Sequence, residues 1–177
     1  HDKYTGGHSE EVAELSQKIA KALDLDKGQV NDAYWAGLVH DIGKLIVPSV
    51  ILNKKSNFRK EDYEYIKNHP RWAYKSLSES ERLQDIAEYV LYHHERWDGE
   101  GYPKGLKGKE IPLISRIVAV ADVYSAMTSD RSYRDALSEE KALQELKENK
   151  GKQFDPKIVD VFIKIIENDI SETSQVN

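Results

Sequence analysis

Three apolar stretches of this sequence are interrupted by groups that a hydrocarbon core rejects. His40-Asp41 is a doublet inside AGLVHDIGK, His93-His94 closes DIAEYVLYHH, and Asp122 breaks SRIVAVADVYSAM. Burying a carboxylate among such neighbours costs several kcal/mol unless it is paired or bound to a metal. His8 and His69 stand at or near expected helix ends and add to the set. A divalent metal supplies the missing partner. Imidazole and carboxylate without sulfur suit iron, manganese, zinc or nickel, and such a mixed site does not choose sharply among them. Five histidines and two aspartates exceed what one ion needs. They match two ions that share a bridging carboxylate at a separation of about 3.5–4 Å. The chemistry served by such a pair is hydrolysis of a phosphate ester. The ions lower the pKa of bound water and stabilise charge on phosphoryl oxygens.

Ligands so far apart in the chain must be brought together by the fold, and the periodicity says how. Val12, Leu15, Ile19 and Leu23 recur at spacings of three and four, as on one face of a helix. Ala33, Gly37, Leu38 and Asp41 mark one side of a second helix, which Gly43 and Pro48 help to end. Two short helices are expected over 60–68 and 70–78, separated at Pro70. Another is expected over 82–94, ending in the double histidine. Pro112 is placed at the first position of an apolar helix over 112–128. Two amphipathic helices follow, near 138–148 and 155–168. Strand signals are nearly absent: LIVPSVIL at 45–52 is apolar, but Pro48 interrupts it. GEGYPKGLKG at 99–108 holds four of the ten glycines and reads as a turn or small hairpin. The expected class is all-α, a helical bundle whose core gathers ligands from several helices.

Composition narrows the partners. The chain has 177 residues, enough for one domain with a substantial core. Its net charge is −5, so no broad basic field exists for duplex nucleic acid or an anionic membrane, although a local metal or Arg/Lys cluster still suits a small anionic ligand. The absence of cysteine excludes disulfides and thiolate metal sites and fits a reducing, cytoplasmic setting. The longest apolar run is broken by Arg116 and Asp122, so no membrane span is expected. The chain starts at HDKYTGGH rather than at methionine, as a piece of a longer regulatory protein would.

The ordered motifs carry a resemblance. His8, HDIGK at 40–44, NHP at 68–70, HHERWDGEGYP at 93–103, AD at 121–122 and TSDRSYR at 128–134 resemble the HD-GYP domain, a branch of the HD phosphohydrolase superfamily. The likeness runs from about residue 2 to GKQFDP at 151–156. It implies an all-helical HD fold that hydrolyses cyclic di-GMP to linear pGpG and, in some members, on to GMP. The implied reaction is in-line attack on phosphorus by a hydroxide bridging the two metals. Carried over by position, one metal would be held by His8, His40, Asp41 and Asp122. The other would be held by Asp41, His69, His93 and His94, so that Asp41 bridges. Iron or manganese is the expected pair, with zinc or nickel as alternatives. Lys44 would lie by the substrate phosphate and assist the leaving group. Arg131 and Arg134 match phosphate-contacting positions. Tyr102 is a candidate to stack on a guanine. Glu95, Arg96 and Asp98 are candidates to orient the histidines. The GYP segment is linked in the family to GGDEF-domain partners.

Three departures from the pattern bear on activity. Some members carry a glutamate four residues before the first histidine and hold a third metal; here that residue is Tyr4, which implies a two-metal site. Ser132 stands where the family usually has proline, and Ser125 where it often has aspartate. Ser125 lies one turn after Asp122 and is expected to face the site, where a lost carboxylate would disturb Lys44 or a ligand. Two other readings compete with cyclic di-GMP hydrolysis. One is an HD phosphohydrolase acting on another nucleotide, such as a mixed cyclic dinucleotide. The other is a low-activity cyclic di-GMP receptor or partner-binding module.

Overall fold

A computed structural model describes residues 5–52, 54, 58–130 and 135–175. Among these, the chain forms nine α-helices and no strand. They are α1 (Thr5–Ala22), α2 (Lys27–Val39), α3 (Ser49–Leu52), α4 (Lys60–Ile66), α5 (His69–Leu77), α6 (Gln84–Leu91), α7 (Leu113–Thr128), α8 (Glu139–Glu148) and α9 (Pro156–Gln175), with short 3-10 turns at Ile42–Ile46, Glu81–Leu83 and Gly108–Glu110. No helix among the described residues is long and apolar enough to cross a membrane.

The helices start and stop for local reasons. Asp26 caps α2 by accepting the Gln29 backbone N–H at 2.9 Å, while the Gln29 side chain reaches back to the Asp26 N–H. Ser138 caps α8 through the Lys141 N–H. Pro112 lies one residue outside α7, at its cap rather than at the first helical position. The expected 82–94 helix is shorter, because α6 ends at Leu91 and leaves both histidines beyond it. Likewise α2 ends at Val39, so His40 and Asp41 leave the helix instead of continuing its face. LIVPSVIL divides into the end of one 3-10 turn and the four-residue α3. The glycine-rich segment is a loop with a 3-10 turn, not a hairpin.

Buried residues from α1, α2, α6, α7 and α9 make one core, including Val12, Ile19, Val90, Val120 and Phe162. α1 packs against α2 and α7, while α5 lies against α6 and the Ile42–Ile46 turn. Two glycines set the close approaches that matter for the site. A Cβ on Gly37 would stand 2.8 Å from the Ala13 Cα, so α1 and α2 touch backbone to backbone there. A Cβ on Gly43 would stand 1.9 Å from the His69 carbonyl oxygen and 2.9 Å from the Ala73 nitrogen. The HDIGK turn is therefore pressed against the start of α5. Gly43→Ala is expected to lose about 2–4 kcal/mol of stability through this overlap. Urea unfolding checks it; an unchanged midpoint would show that the contact can relax.

Candidate metal centre

The histidines converge because several stand where a helix ends. The last carbonyls of a helix have no intrahelical partner. Three imidazoles use this. His40 Nδ1 lies 2.7 Å from the Gly37 carbonyl oxygen, His69 Nδ1 2.8 Å from that of Ile66, and His93 Nδ1 2.6 Å from that of Val90. In each pair the carbonyl lies three residues back, in the last turn of α2, α4 or α6. A carbonyl only accepts, so Nδ1 carries a proton in each, and Nε2 is the nitrogen turned inward. All three Nε2 atoms are buried and make no hydrogen bond. Three buried Nε2 atoms without a hydrogen-bond partner, directed at one region, are what a metal would satisfy.

Two groups of donors result. The ligand atoms of His69, His93 and His94 lie within 4.8 Å of one another, and so do those of His8, His40 and Asp41. Asp41 spans both groups. Its Oδ1 is 3.4 Å from His69 Nε2, and its Oδ2 is 3.4 Å from His40 Nε2 and 2.7 Å from Lys44 Nζ. Asp122, from the middle of α7, places Oδ1 3.1 Å from His8 Nε2 and 3.7 Å from His40 Nε2. All seven residues expected from the sequence as ligands thus share one centre. Pairing of Asp122 with Arg116, the ordinary explanation for a core aspartate, is not found: Arg116 binds Asp155 at 2.5 Å.

The electrostatics suit cations. Burial opposes ionisation of Asp41, but His40 and Lys44 outweigh it and hold the carboxyl well below its ordinary range. Asp122 is likewise held low despite burial, chiefly by His8 and His40. Burial drives His69 down to about 4 and His94 down to about 3, and burial together with its neighbouring imidazoles keeps His93 well below its ordinary value. These three are neutral at pH 7, as ligands must be. His40 differs. Burial pulls it down, but Asp41 and Asp122 more than compensate and lift it to about 9.

The GYP loop is fastened to this centre. Glu95 is buried, and its carboxylate accepts the backbone N–H groups of Lys104 at 2.6 Å, Gly105 at 3.2 Å and Leu106 at 3.0 Å. The Tyr102 N–H donates to the His94 carbonyl, and the Tyr102 ring lies against the His94 ring with centroids 4.9 Å apart. A Cβ on Gly101 would come within 2.3 Å of the Arg96 nitrogen. Arg71 donates to the Pro103 carbonyl, and Lys67 stands over the Tyr102 ring. Glu95 therefore shapes the loop rather than orienting an imidazole, contrary to expectation. Arg96 and Asp98 bind each other at 2.6 Å. The backbone N–H groups of Trp97 and Asp98 reach the carbonyls of Gln153 and Lys152, which ties the GKQFDP segment to the same loop.

Ser125 faces the site, as expected, on the side of an expected ligand. Its hydroxyl meets His8 and Glu11, not Lys44. Glu11 carried no signal in the sequence, since a glutamate in the first half of an amphipathic helix is ordinary. Arg131, Arg134, Ser132 and Tyr4 lie outside the described residues.

A proton must leave His40 before its Nε2 can bind a metal. Between pH 6 and 8, binding of the ion at this group is expected to release close to one proton, with apparent affinity rising about tenfold per pH unit until about pH 9. Calorimetry in buffers of different ionisation heat measures the released proton. An affinity flat over that range would mean that His40 is already neutral.

The chain is similar to known proteins along most of its length. The sequence profile of the HD domain family matches residues 1–158. A cyclic di-GMP phosphodiesterase of Thermotoga maritima is 41% identical over 166 residues, covering 93% of this chain and 45% of that protein. A 3'3'-cGAMP-specific phosphodiesterase of Vibrio cholerae is 38% identical over 163 residues, covering 92% of this chain and 38% of that protein. The chain thus spans less than half the length of these relatives. Among solved structures, an HDGYP protein from Bdellovibrio bacteriovorus superposes with a TM-score of 0.73 at 20% identity, over 94% of this chain and 53% of that one. With the helical fold, the clustered histidines and the ordered motifs in place, the chain belongs to the HD-domain family, in its HD-GYP branch.

Proposed function

We propose that this domain hydrolyses a cyclic dinucleotide, cyclic di-GMP in the first instance, at a centre of two divalent metals. The observation that carries the reading is Asp41, whose two carboxylate oxygens face the two donor groups separately. His8, His40, Asp41 and Asp122 would hold one ion, and Asp41, His69, His93 and His94 the other. When bound, such ions activate water and stabilise phosphoryl charge. The chain's own residues bind and orient. Lys44, bonded to Asp41 and 35% exposed at its side chain, stands at the mouth of the site where a phosphate oxygen or leaving oxygen would lie. Lys67, Arg71 and Lys104 add exposed cations around the GYP loop, which supports an anionic substrate despite the acidic chain. Tyr102 has one ring face on His94 and is the candidate to meet a base. Arg131 and Arg134 remain candidates for phosphate contact, and a GGDEF-domain protein a candidate partner of the loop.

A mixed substrate is the second reading, favoured by the relatives named for 3'3'-cGAMP at nearly the same identity. Binding without turnover is disfavoured, because the Ser125 departure that motivated it keeps a hydrogen bond to His8.

Protein loaded anaerobically with Fe(II) or Mn(II) is expected to contain two ions per chain and to open cyclic di-GMP to pGpG. A third ion would overturn the two-metal reading. Faster cleavage of 3'3'-cGAMP would move the substrate assignment, and tight binding without product would favour the receptor. Asp41→Ala is expected to lose both ions and more than about 10³-fold in turnover, several kcal/mol of barrier. Normal hydrolysis by that variant would refute the mechanism.

A further inference from the structure

His8 cannot be fixed as the other histidines are. It lies near the start of α1, and the start of a helix offers unpaired N–H groups, not carbonyls. Its Nδ1 instead lies 2.9 Å from the Ser125 hydroxyl oxygen. That hydroxyl is 2.6 Å from Glu11 Oε2, and the Ser129 hydroxyl reaches the same oxygen at 3.4 Å. The direction of this chain follows from its far end. An ionised carboxylate only accepts, so Ser125 donates its single proton to Glu11. The serine oxygen can then only accept from His8, so His8 Nδ1 is the donor. His8 Nε2 is thereby the nitrogen turned toward Asp122 Oδ1, 3.1 Å away.

We infer that Glu11 is a positioning residue for the metal held by His8, acting through the Ser125 hydroxyl to fix the tautomer and angle of the His8 imidazole. The spacing is built for it. Glu11 is one turn after His8 on α1, and Ser125 is one turn after Asp122 on α7, so two adjacent helices each present one ligand and one supporting group. The hydroxyl of Ser125 on α7 thus links the imidazole to a carboxylate across the helix interface. Such partners set the basicity and orientation of a metal-bound imidazole, and losing one costs about 10–100-fold in metal affinity.

The inference rests on the two-metal reading, and stepwise titration of metal-free protein with Mn(II) keeps the two apart. Wild type taking up two ions supports that reading; one ion or none refutes it, whatever the variants do. Given two, Glu11→Ala and Ser125→Ala are each expected to weaken one ion by about 10–100-fold and leave the other within about twofold. Glu11→Gln, whose amide oxygen still accepts from Ser125, should recover part of the loss. The double variant Glu11→Ala/Ser125→Ala should bind no worse than the weaker single variant, because both changes cut one chain of bonds. Unchanged affinity in Glu11→Ala, equal weakening of both ions, or additive losses in the double variant would overturn the assignment. Glu11→Gln guards against a folding failure: if Glu11→Ala does not fold, weakening of one ion in Glu11→Gln supports the inference, and wild-type affinity for both refutes it.

Discussion

The centre depends on one small interaction repeated three times: an imidazole Nδ1–H donating to the carbonyl three residues behind it, in the last turn of a helix. It satisfies an orphan acceptor that every helix end exposes. It also selects the tautomer and aims Nε2 away from the backbone, into the space between helices. A histidine free to rotate would spend part of its time in the wrong rotamer or the wrong tautomer. Here the secondary structure itself removes that freedom, and ligand geometry becomes a property of where helices stop.

That dependence explains why helix ends, rather than helix faces, are close-packed around the site. Gly43 allows the turn after α2 to press on the first residue of α5, and Gly37 lets α1 and α2 meet at their backbones. The first contact sets two helix termini against each other, and the second sets the end of α2 against the middle of α1. Only Asp122 comes from the middle of a helix, and it is placed by the packing of α7 against α1 and α2. The acidity of Asp41 and Asp122 and the neutrality of His69, His93 and His94 then follow from the same proximity. Charges of opposite sign are close, and water is largely excluded.

Much of this was legible in the residues. The histidine doublets and Asp122 stood out because polar groups interrupted apolar runs, and all seven expected ligands meet. The all-α class was equally plain from spacing. What was not legible were boundaries and supports. His40 and His93 read as continuing their helices, because apolar periodicity runs up to them; a backbone bond that turns the chain leaves no mark in composition. Glu95 read as a support for the histidines, and it instead gathers three N–H groups from residues nine to eleven positions ahead, a pairing that only the loop's closure creates. Glu11 and Ser125 are more than a hundred residues apart, so no local pattern joins them.

The attachment of Glu95 has a further consequence. Glu95 follows His94 directly, and Tyr102 rests on the His94 ring, so imidazole and loop share an anchor. The loop and the clustered histidines are thus joined on this side. Lys104, at the loop's outer edge, is exposed and stands over the Tyr92 ring, away from the clustered histidines.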